Sequence, residues 1–556
     1  MSVDEDQPTI PARVKQWAET RPDKEVFVFY SDEGRRALTC KDVHNLSTKF
    51  AALLQRRGLK HGDVRLITDF GIMAAGCVAA NAQALLADGT DLLHVINLSR
   101  CRLLIGDKTL PGGAWHLLKP HLGEIMDLKV KSSNAPKLEM VEFVGVKEGG
   151  DYLEMLHQEG DPVPVEILPT DTALYWTTSG STGFSKLVPK THAVMLFLAS
   201  SFTKMFRIHN EVDVLYSDRP LGWAGGWPYG FIEMAVPYVT TDTRGSVLDQ
   251  CKLSWDVLSE ERCTIAVLSI SFMKKLAERR SLENSGDVIQ RLMCIVTGQP
   301  FAKHCFEFVS KICHSVASAY GISEVGYVSS CICEKAEDFE DNLVGCSSHL
   351  EVKVVDEQFT DLGAGKDGQV LLHGQCVFKG YIDNPEATKA AFTDDGWFKL
   401  DEVGHFDEKG RLFVEGRRSD AIMHGEYIIY PSWVEKKLRT CPYISEVMVV
   451  PVPHPDMCHE VCACVIPKPN MDVTTKMIKD HCDPMFISDS LHEMSAKPAY
   501  YVLVESFPLI PTGKPDRRAL SEIAEKNHLN QPLNSCPTRM GCNGRLKYPA
   551  GGKLPL

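Results

Sequence analysis

Apolar side chains recur at three- and four-residue intervals over residues 12–19 and 40–57, the spacing of one helix face. Short β-rich runs stand at 27–29 and 103–105, and apolar runs at 264–269 and 293–297 follow helical patterns. This alternation predicts a layered α/β domain. The apolar stretch 72–87 is rich in small residues and holds Asn81 and Gln83; too short and too polar for a bilayer span, it reads as a buried helix. From Glu351 the pattern changes. EVKVVD, GQVLLHG and GRLFVEG, punctuated by glycines, predict antiparallel hairpins. A further unit begins near Gly416, with a helix over 431–438, strands over 445–451 and 461–466, and helices near 475–482 and 517–526. Beyond about His528 the chain loses periodicity and reads as a loose tail.

Length and composition narrow this picture. A chain of 556 residues predicts two or more domains, and 44% hydrophobic with 24% charged residues is ordinary globular composition. A net charge of −13 argues against a nucleic-acid surface. The 19 cysteines are scattered and odd in number, and the first residues are acidic and polar with no signal-peptide pattern, so the thiols are expected to be reduced. The chain ends KLPL, which is not the SKL signal; a soluble cytoplasmic protein is expected, with no membrane span.

The most informative segment is YWTTSGSTGFSKLVPKTH, residues 175–192. A β-like run leads into Thr178, Ser179, Gly180, Ser181, Thr182 and Gly183, with Lys186 following. Glycines let backbone approach an anion, hydroxyls and amides donate to phosphate oxygens, and the lysine adds positive charge. It is not a Walker loop, which needs four residues between its first glycine and a Gly-Lys pair. Its composition alone fits a surface turn equally well.

The full string is more specific: TSGSTGFSK resembles the phosphate loop of the adenylate-forming superfamily, which includes acyl-CoA synthetases, aryl-acid adenylating ligases, peptide-synthetase adenylation domains and beetle luciferases. Ser185 stands where that family often has proline. Five more segments follow in the family's order. TGQPF resembles the turn beside the adenine, with Gly298, Gln299 and Pro300. SAYGISE resembles the Tyr-Gly-x-Thr-Glu motif: Ser318, Ala319, Tyr320 and Gly321 would border the nucleotide, Ser323 would supply the hydroxyl, and Glu324 would hold magnesium. GWFKLDEVG resembles the ribose-binding segment, with Leu400, Asp401 and Glu402 where Thr, Gly and Asp are usual, so Glu402 aligns with the aspartate. GRRSDAIMHGEYIIYPSWVE resembles the interdomain hinge and its continuation, with Arg417 toward ribose or phosphate and Ser419 at the hinge. There Glu426 occupies a usual glycine position and Met423 a frequent lysine position. FPLIPTGKPDRRAL resembles the C-terminal catalytic motif, with Lys514 as its lysine. A cation there meets the charge that gathers as a carboxylate attacks the α-phosphate.

The resemblance spans roughly residues 20–525. It implies a large N-terminal AMP-binding part with layered α/β subdomains and a small β-unit (1–416), a small mobile C-terminal α+β domain (417–530) and a loose tail (531–556). The implied activity is an AMP-forming acid–CoA ligase of fatty acid metabolism, using ATP, Mg²⁺ and CoA, with Lys514 and Lys186 as catalytic cations and a medium-chain fatty acid as substrate. Trp223 and Trp227, in LGWAGGWPYGF, are candidate walls of the acyl pocket or simple packing at a strand-to-helix junction. Two other readings stay open. One is an enzyme adenylating aryl or other acids for a different acceptor, which Glu426 favours. The other is a non-catalytic nucleotide- or acyl-binding relative, which the 400–402 departure favours. Cys458, His459, Cys462 and Cys464 do not form a Cys-x-x-Cys metal pattern and read as strand residues.

Overall fold

The computed structural model describes residues 8–31, 34–58, 64–66, 69–81, 88–106, 114–143, 156, 159–178, 184–219, 221–241, 247–282, 289–298, 301–425, 427–455, 457–469, 471–487, 494–509 and 515–529. The chain divides into two compact units: the first border falls between Ala421 and Ile422, and Leu509 and Pro515 group again with the first unit.

In the first unit, local signals set the early helices. Thr9 caps Ile10–Thr20, and Thr39 with Asp42 forms a reciprocal capping box on Cys40–Arg56. An eight-stranded sheet runs in the order Gly326–Cys333, Cys313–Ile322, Ile289–Thr297, Ile265–Val267, Leu215–Ser217, Tyr238–Thr241, Glu25–Ser31, Gly34–Thr39. The pairings between Ile289–Thr297 and Glu25–Ser31 are parallel, and antiparallel strands close both edges. A second eight-stranded sheet runs Lys186–Thr191, Thr172–Thr178, Val78–Asn81, Val64–Leu66, Leu103–Gly106, Met140–Phe143, Lys129–Lys131, Glu124–Met126.

Strand alternation sends Phe27 to one core and its neighbour Val28 to another. The first core joins the two large sheets through Leu174, Val188, Ile265 and Ala317, with helices Ile10–Thr20, Cys40–Arg56 and His192–Met205 between them. A second core covers the other face of the first sheet with helices Val247–Glu260 and Ile270–Leu282, and a third packs Thr90–Leu98 against the second sheet. Helices on both faces of largely parallel sheets are the layered α/β arrangement expected. A five-stranded antiparallel sheet completes this unit: Glu351–Val355, Gly368–His373 and Leu412–Arg417 are the predicted hairpin strands, Phe398–Phe406 runs between the last two, and Leu343–Gly345 lies at the edge.

One expectation is corrected. The stretch 72–87 is not a single helix: Asp69–Ala74 is helical, Gly76 turns the chain at φ +70°, and Val78–Asn81 is a fully buried parallel strand. A short apolar run of small residues reads alike in a buried strand and a buried helix, and here the left-handed glycine decides.

The second unit is α+β. Its five-stranded sheet carries Ile422–His424, Tyr427–Ile429, Ile444–His454, Cys458–Pro467 and Tyr500–Leu503, with helices Pro431–Leu438, Thr475–Cys482 and Arg517–Leu529. Glu435 is buried in it, paired with Arg517 at 2.8 Å and Arg439 at 3.2 Å. These cations hold its carboxyl below the usual range against the cost of burial. Cys462 and Cys464 are wholly buried in strand Cys458–Pro467, which fits packing thiols. The tail 531–556 lies outside the described residues.

Candidate active site

Thr172–Thr178 and Lys186–Thr191 pair antiparallel, with Lys186 opposite Thr178. The Ser/Thr/Gly segment therefore connects two hairpin strands and does not lead straight into a helix. Ser179, Gly180, Ser181, Thr182 and Gly183 lie outside the described residues, as do Gln299, Pro300, Glu426 and Lys514.

The far edge of this segment is fixed from below. The Ser185 amide and hydroxyl donate to the two carboxylate oxygens of Asp91, both at 2.8 Å, with both residues buried. Asp91 sits in the first turn of Thr90–Leu98. The His94 ring stacks on Phe184 at 4.8 Å, and its Nε2 meets the Ser185 carbonyl at 3.2 Å.

The tight turn after strand Cys313–Ile322 carries Ser323 and Glu324 to the same hairpin. Ser323 Oγ donates to the Thr177 carbonyl at 3.3 Å. The Glu324 carbonyl accepts from Lys190 Nζ at 2.8 Å and from the Phe378 amide at 3.0 Å. Tyr381 Oη donates to Glu324 Oε1 at 2.6 Å, and Lys186 Nζ lies 4.7 Å from the centre of the Tyr381 ring. The structure thus brings Lys186 and Glu324 together through a residue the sequence motifs did not single out.

Lys190 is wholly buried. Its ammonium also reaches the Cys376 carbonyl at 3.5 Å and sits 5.3 Å from the Trp176 ring centre. Desolvation pulls its pKa down to about 8. In KLVPKTH, a lysine on a strand followed by a buried helix start is the only sequence trace of this role.

Strand register places the adenine-turn and Tyr320 segments side by side. Ile289–Thr297 and Cys313–Ile322 are parallel with Thr297 opposite Ala319, so Gly298, at φ +80°, lies beside Tyr320. Ser318 is buried, and the hydroxyl of Tyr320, two residues on, is buried near Glu402. Burial drives that phenol well above its ordinary value, and the nearby Glu402 charge adds to this. Gly321 marks the irregularity where this strand leaves its antiparallel neighbour.

Glu402 and Arg417 face each other across strands Phe398–Phe406 and Leu412–Arg417, with Oε1 and Nε 3.8 Å apart. The Glu402 side chain is 12% exposed. Burial pushes its pKa up to about 7, Arg417 opposes this, and Asp401 and Glu324 reinforce it. Asp401 itself accepts a hydrogen bond from Ser419 Oγ, in the turn Arg418–Asp420.

Trp227 is buried against Phe70, with ring centres 5.8 Å apart, and its indole nitrogen has no partner among the described residues. Trp223 is partly buried beneath Arg219, and its ring leaves no room for a side chain at Gly225. Next to them, Asn81 Nδ2 donates to Asp69 Oδ2 at 3.1 Å, and burial pushes Asp69 up to about 6. A Cβ on Gly222 would stand 3.0 Å from Asn81. In the second unit, Met423 is 42% exposed on its strand.

Comparison with known proteins bears on this arrangement. Residues 14–382 match the AMP-binding enzyme family, and residues 433–514 match the AMP-binding enzyme C-terminal domain. The chain is 25% identical to the mitochondrial medium-chain acyl-CoA ligase ACSF2 of Danio rerio, covering 93% of this chain and 88% of that protein. It is also 25% identical to the long-chain-fatty-acid–CoA ligase FadD13 of Mycobacterium tuberculosis, covering 92% and 97%. The fold superposes on ATP-bound MatB from Rhodopseudomonas palustris with a TM-score of 0.77 at 20% identity, over 94% of this chain and 99% of that one. Among the described residues, no helix is long and apolar enough to cross a membrane.

Proposed function

The chain belongs to the AMP-binding enzyme family, and we propose that it is an ATP-dependent acid–CoA ligase that activates a medium-chain fatty acid. The observation that carries this reading is the meeting of Lys186, Glu324 and Tyr381 at the hairpin, in the same unit as the Tyr320 and Glu402–Arg417 groups. Cations and a free carboxylate oxygen at one end, and a buried aromatic with an acid at the other, suit a nucleotide's phosphates and nucleoside.

In the first step a carboxylate oxygen of the acid forms a bond to the α-phosphorus of ATP. The bond to the bridging oxygen breaks and pyrophosphate leaves. Lys186 and residues 178–183 would hold the β- and γ-phosphates, and Lys514 would meet the charge on the five-coordinate centre. Gly298, Gln299, Pro300 and the segment from Ser318 to Gly321 would hold adenine. Glu402 and Arg417 would hold the ribose, with Ser323 near the α-phosphate. In the second step the CoA thiol attacks the acyl carbon, loses its proton, and AMP departs with the bonding pair. We read the part from about residue 417 as a small domain turning about Ser419 between the steps.

A magnesium ion fits Glu324: Tyr381 occupies Oε1, and among the described residues Oε2 accepts no hydrogen bond. Bound there, it would offset negative charge on the phosphates. The apolar acyl group finds support in Trp227 and Phe70, and the medium-chain choice in the description of the Danio rerio relative. The scattered, largely buried thiols suit a reducing compartment, which we take to be the cytoplasm.

The test incubates the full chain with ATP, Mg²⁺, CoA and mixed carboxylic acids and detects adenylates and thioesters by mass spectrometry. Thioesters of medium-chain acids are expected, and Lys514→Ala should abolish acid-dependent ATP–pyrophosphate exchange. Undiminished exchange in that variant removes Lys514 from the chemistry. Adenylates without thioesters mark an enzyme with another acceptor, and ATP binding without either product marks a non-catalytic relative.

A further inference from the structure

The segment from Cys376 to Ile382 is tied at several points to the two elements that meet at the hairpin. The Phe378 amide donates to the Glu324 carbonyl at 3.0 Å, and the Ile382 amide donates to the Leu187 carbonyl at 3.1 Å. Tyr381 is gripped between these ties. Its amide donates to Thr388 Oγ1 at 2.9 Å, and its ring packs edge-on against Phe378 at 4.7 Å. Its hydroxyl therefore reaches Glu324 Oε1 from a fixed base, at 2.6 Å, while its face lies 4.7 Å from Lys186 Nζ.

We propose that Tyr381 is a positioning residue for the phosphate end of the nucleotide site, setting which oxygen of Glu324 is left for a divalent cation and where the Lys186 ammonium stands. The inference rests on the roles given above to Glu324 and Lys186. A phenol that donates to one carboxylate oxygen holds the plane of the carboxylate and turns the other oxygen outward as a single ligand. The ring face attracts the ammonium and so fixes where it stands. Separate atoms of one side chain do the two tasks, so they can be separated by substitution.

The test measures ATP binding to the full chain by calorimetry, once with Mg²⁺ and once with EDTA, and does not depend on knowing the acid. Wild type is expected to bind ATP more tightly with Mg²⁺. Tyr381→Phe keeps the ring and should keep the affinity in EDTA, while losing about tenfold of the gain from Mg²⁺. Tyr381→Leu should weaken binding in EDTA as well. Thermal unfolding of each variant is recorded alongside. A Tyr381→Phe protein with the full wild-type gain from Mg²⁺ overturns the proposal whatever its melting temperature, because a merely structural tyrosine would lower stability and leave that gain intact. If wild type binds ATP without any gain from Mg²⁺, the metal role of Glu324 fails and the proposal with it. If wild type binds no ATP, the proposed function itself fails.

Discussion

Ser185 meets Asp91 twice, amide and hydroxyl each donating to a separate carboxylate oxygen at 2.8 Å, in a buried site. A proline at this position would offer neither donor. Ser185→Pro should strip the buried carboxylate of both donors and cost about 3–5 kcal/mol. Asp91→Asn, which keeps one acceptor oxygen, should cost about 1–3 kcal/mol. Urea unfolding of both single variants and the double variant measures the coupling. Additive losses would mean the two residues do not act as a pair.

Glu402 gives nucleotide binding a pH dependence. With its carboxyl pushed up to about 7, it is largely protonated at pH 6 and accepts ribose hydroxyls poorly. AMP affinity should rise several-fold between pH 6 and 8, and Glu402→Gln should flatten the profile at the weaker level. The sign for stability is opposite. The folded chain holds this proton more tightly than the unfolded one, so the contribution is full below about 4.5 and is lost as pH rises through about 7. An affinity profile unchanged by the substitution would place the titration elsewhere.

Lys190 acts in the alkaline range. Its pKa is drawn from 10.5 down to about 8, so the folded chain releases a proton there that the unfolded chain keeps. Stability should therefore rise between about pH 8 and 10.5 relative to Lys190→Met, by about 3 kcal/mol at most. Urea midpoints of the two proteins across that range give the difference, and a constant gap would show that the ammonium is not desolvated.

The second unit has its own acid-sensitive tie. Arg517 and Arg439 hold the Glu435 carboxyl below its ordinary 4.5, so its contribution is present above that value and fades as pH falls through the folded pKa. Glu435→Gln should cost about 3–5 kcal/mol at neutral pH and less near pH 3. Because Arg517 opens the last described helix, limited proteolysis after it should quicken in that variant. Equal protection would show that the pair does not anchor the helix.

Much of this was legible in the sequence because the signals are local. The helix over 40–57, the hairpins from Glu351 and the helix over 431–438 depend on neighbours a few residues away. The helix expected over 72–87 failed because a buried strand and a buried helix share one apolar pattern. Tyr381, Lys190 and Asp91 stayed hidden for another reason. Their partners are Glu324 and Ser185, distant in sequence, and only the crossing of strands brings the groups together. A motif names the side chain expected to face the substrate, but not the side chain that braces it.

Because Lys186 opposes Thr178, the two strands that flank the segment between them run antiparallel, and the helix His192–Met205 starts only after the second strand ends. A strand thus separates the N-terminus of that helix from the segment, and the side-chain charge at the segment's border is that of Lys186. Charges on flexible stems are screened by mobile ions, so nucleotide affinity in this protein should track ionic strength closely.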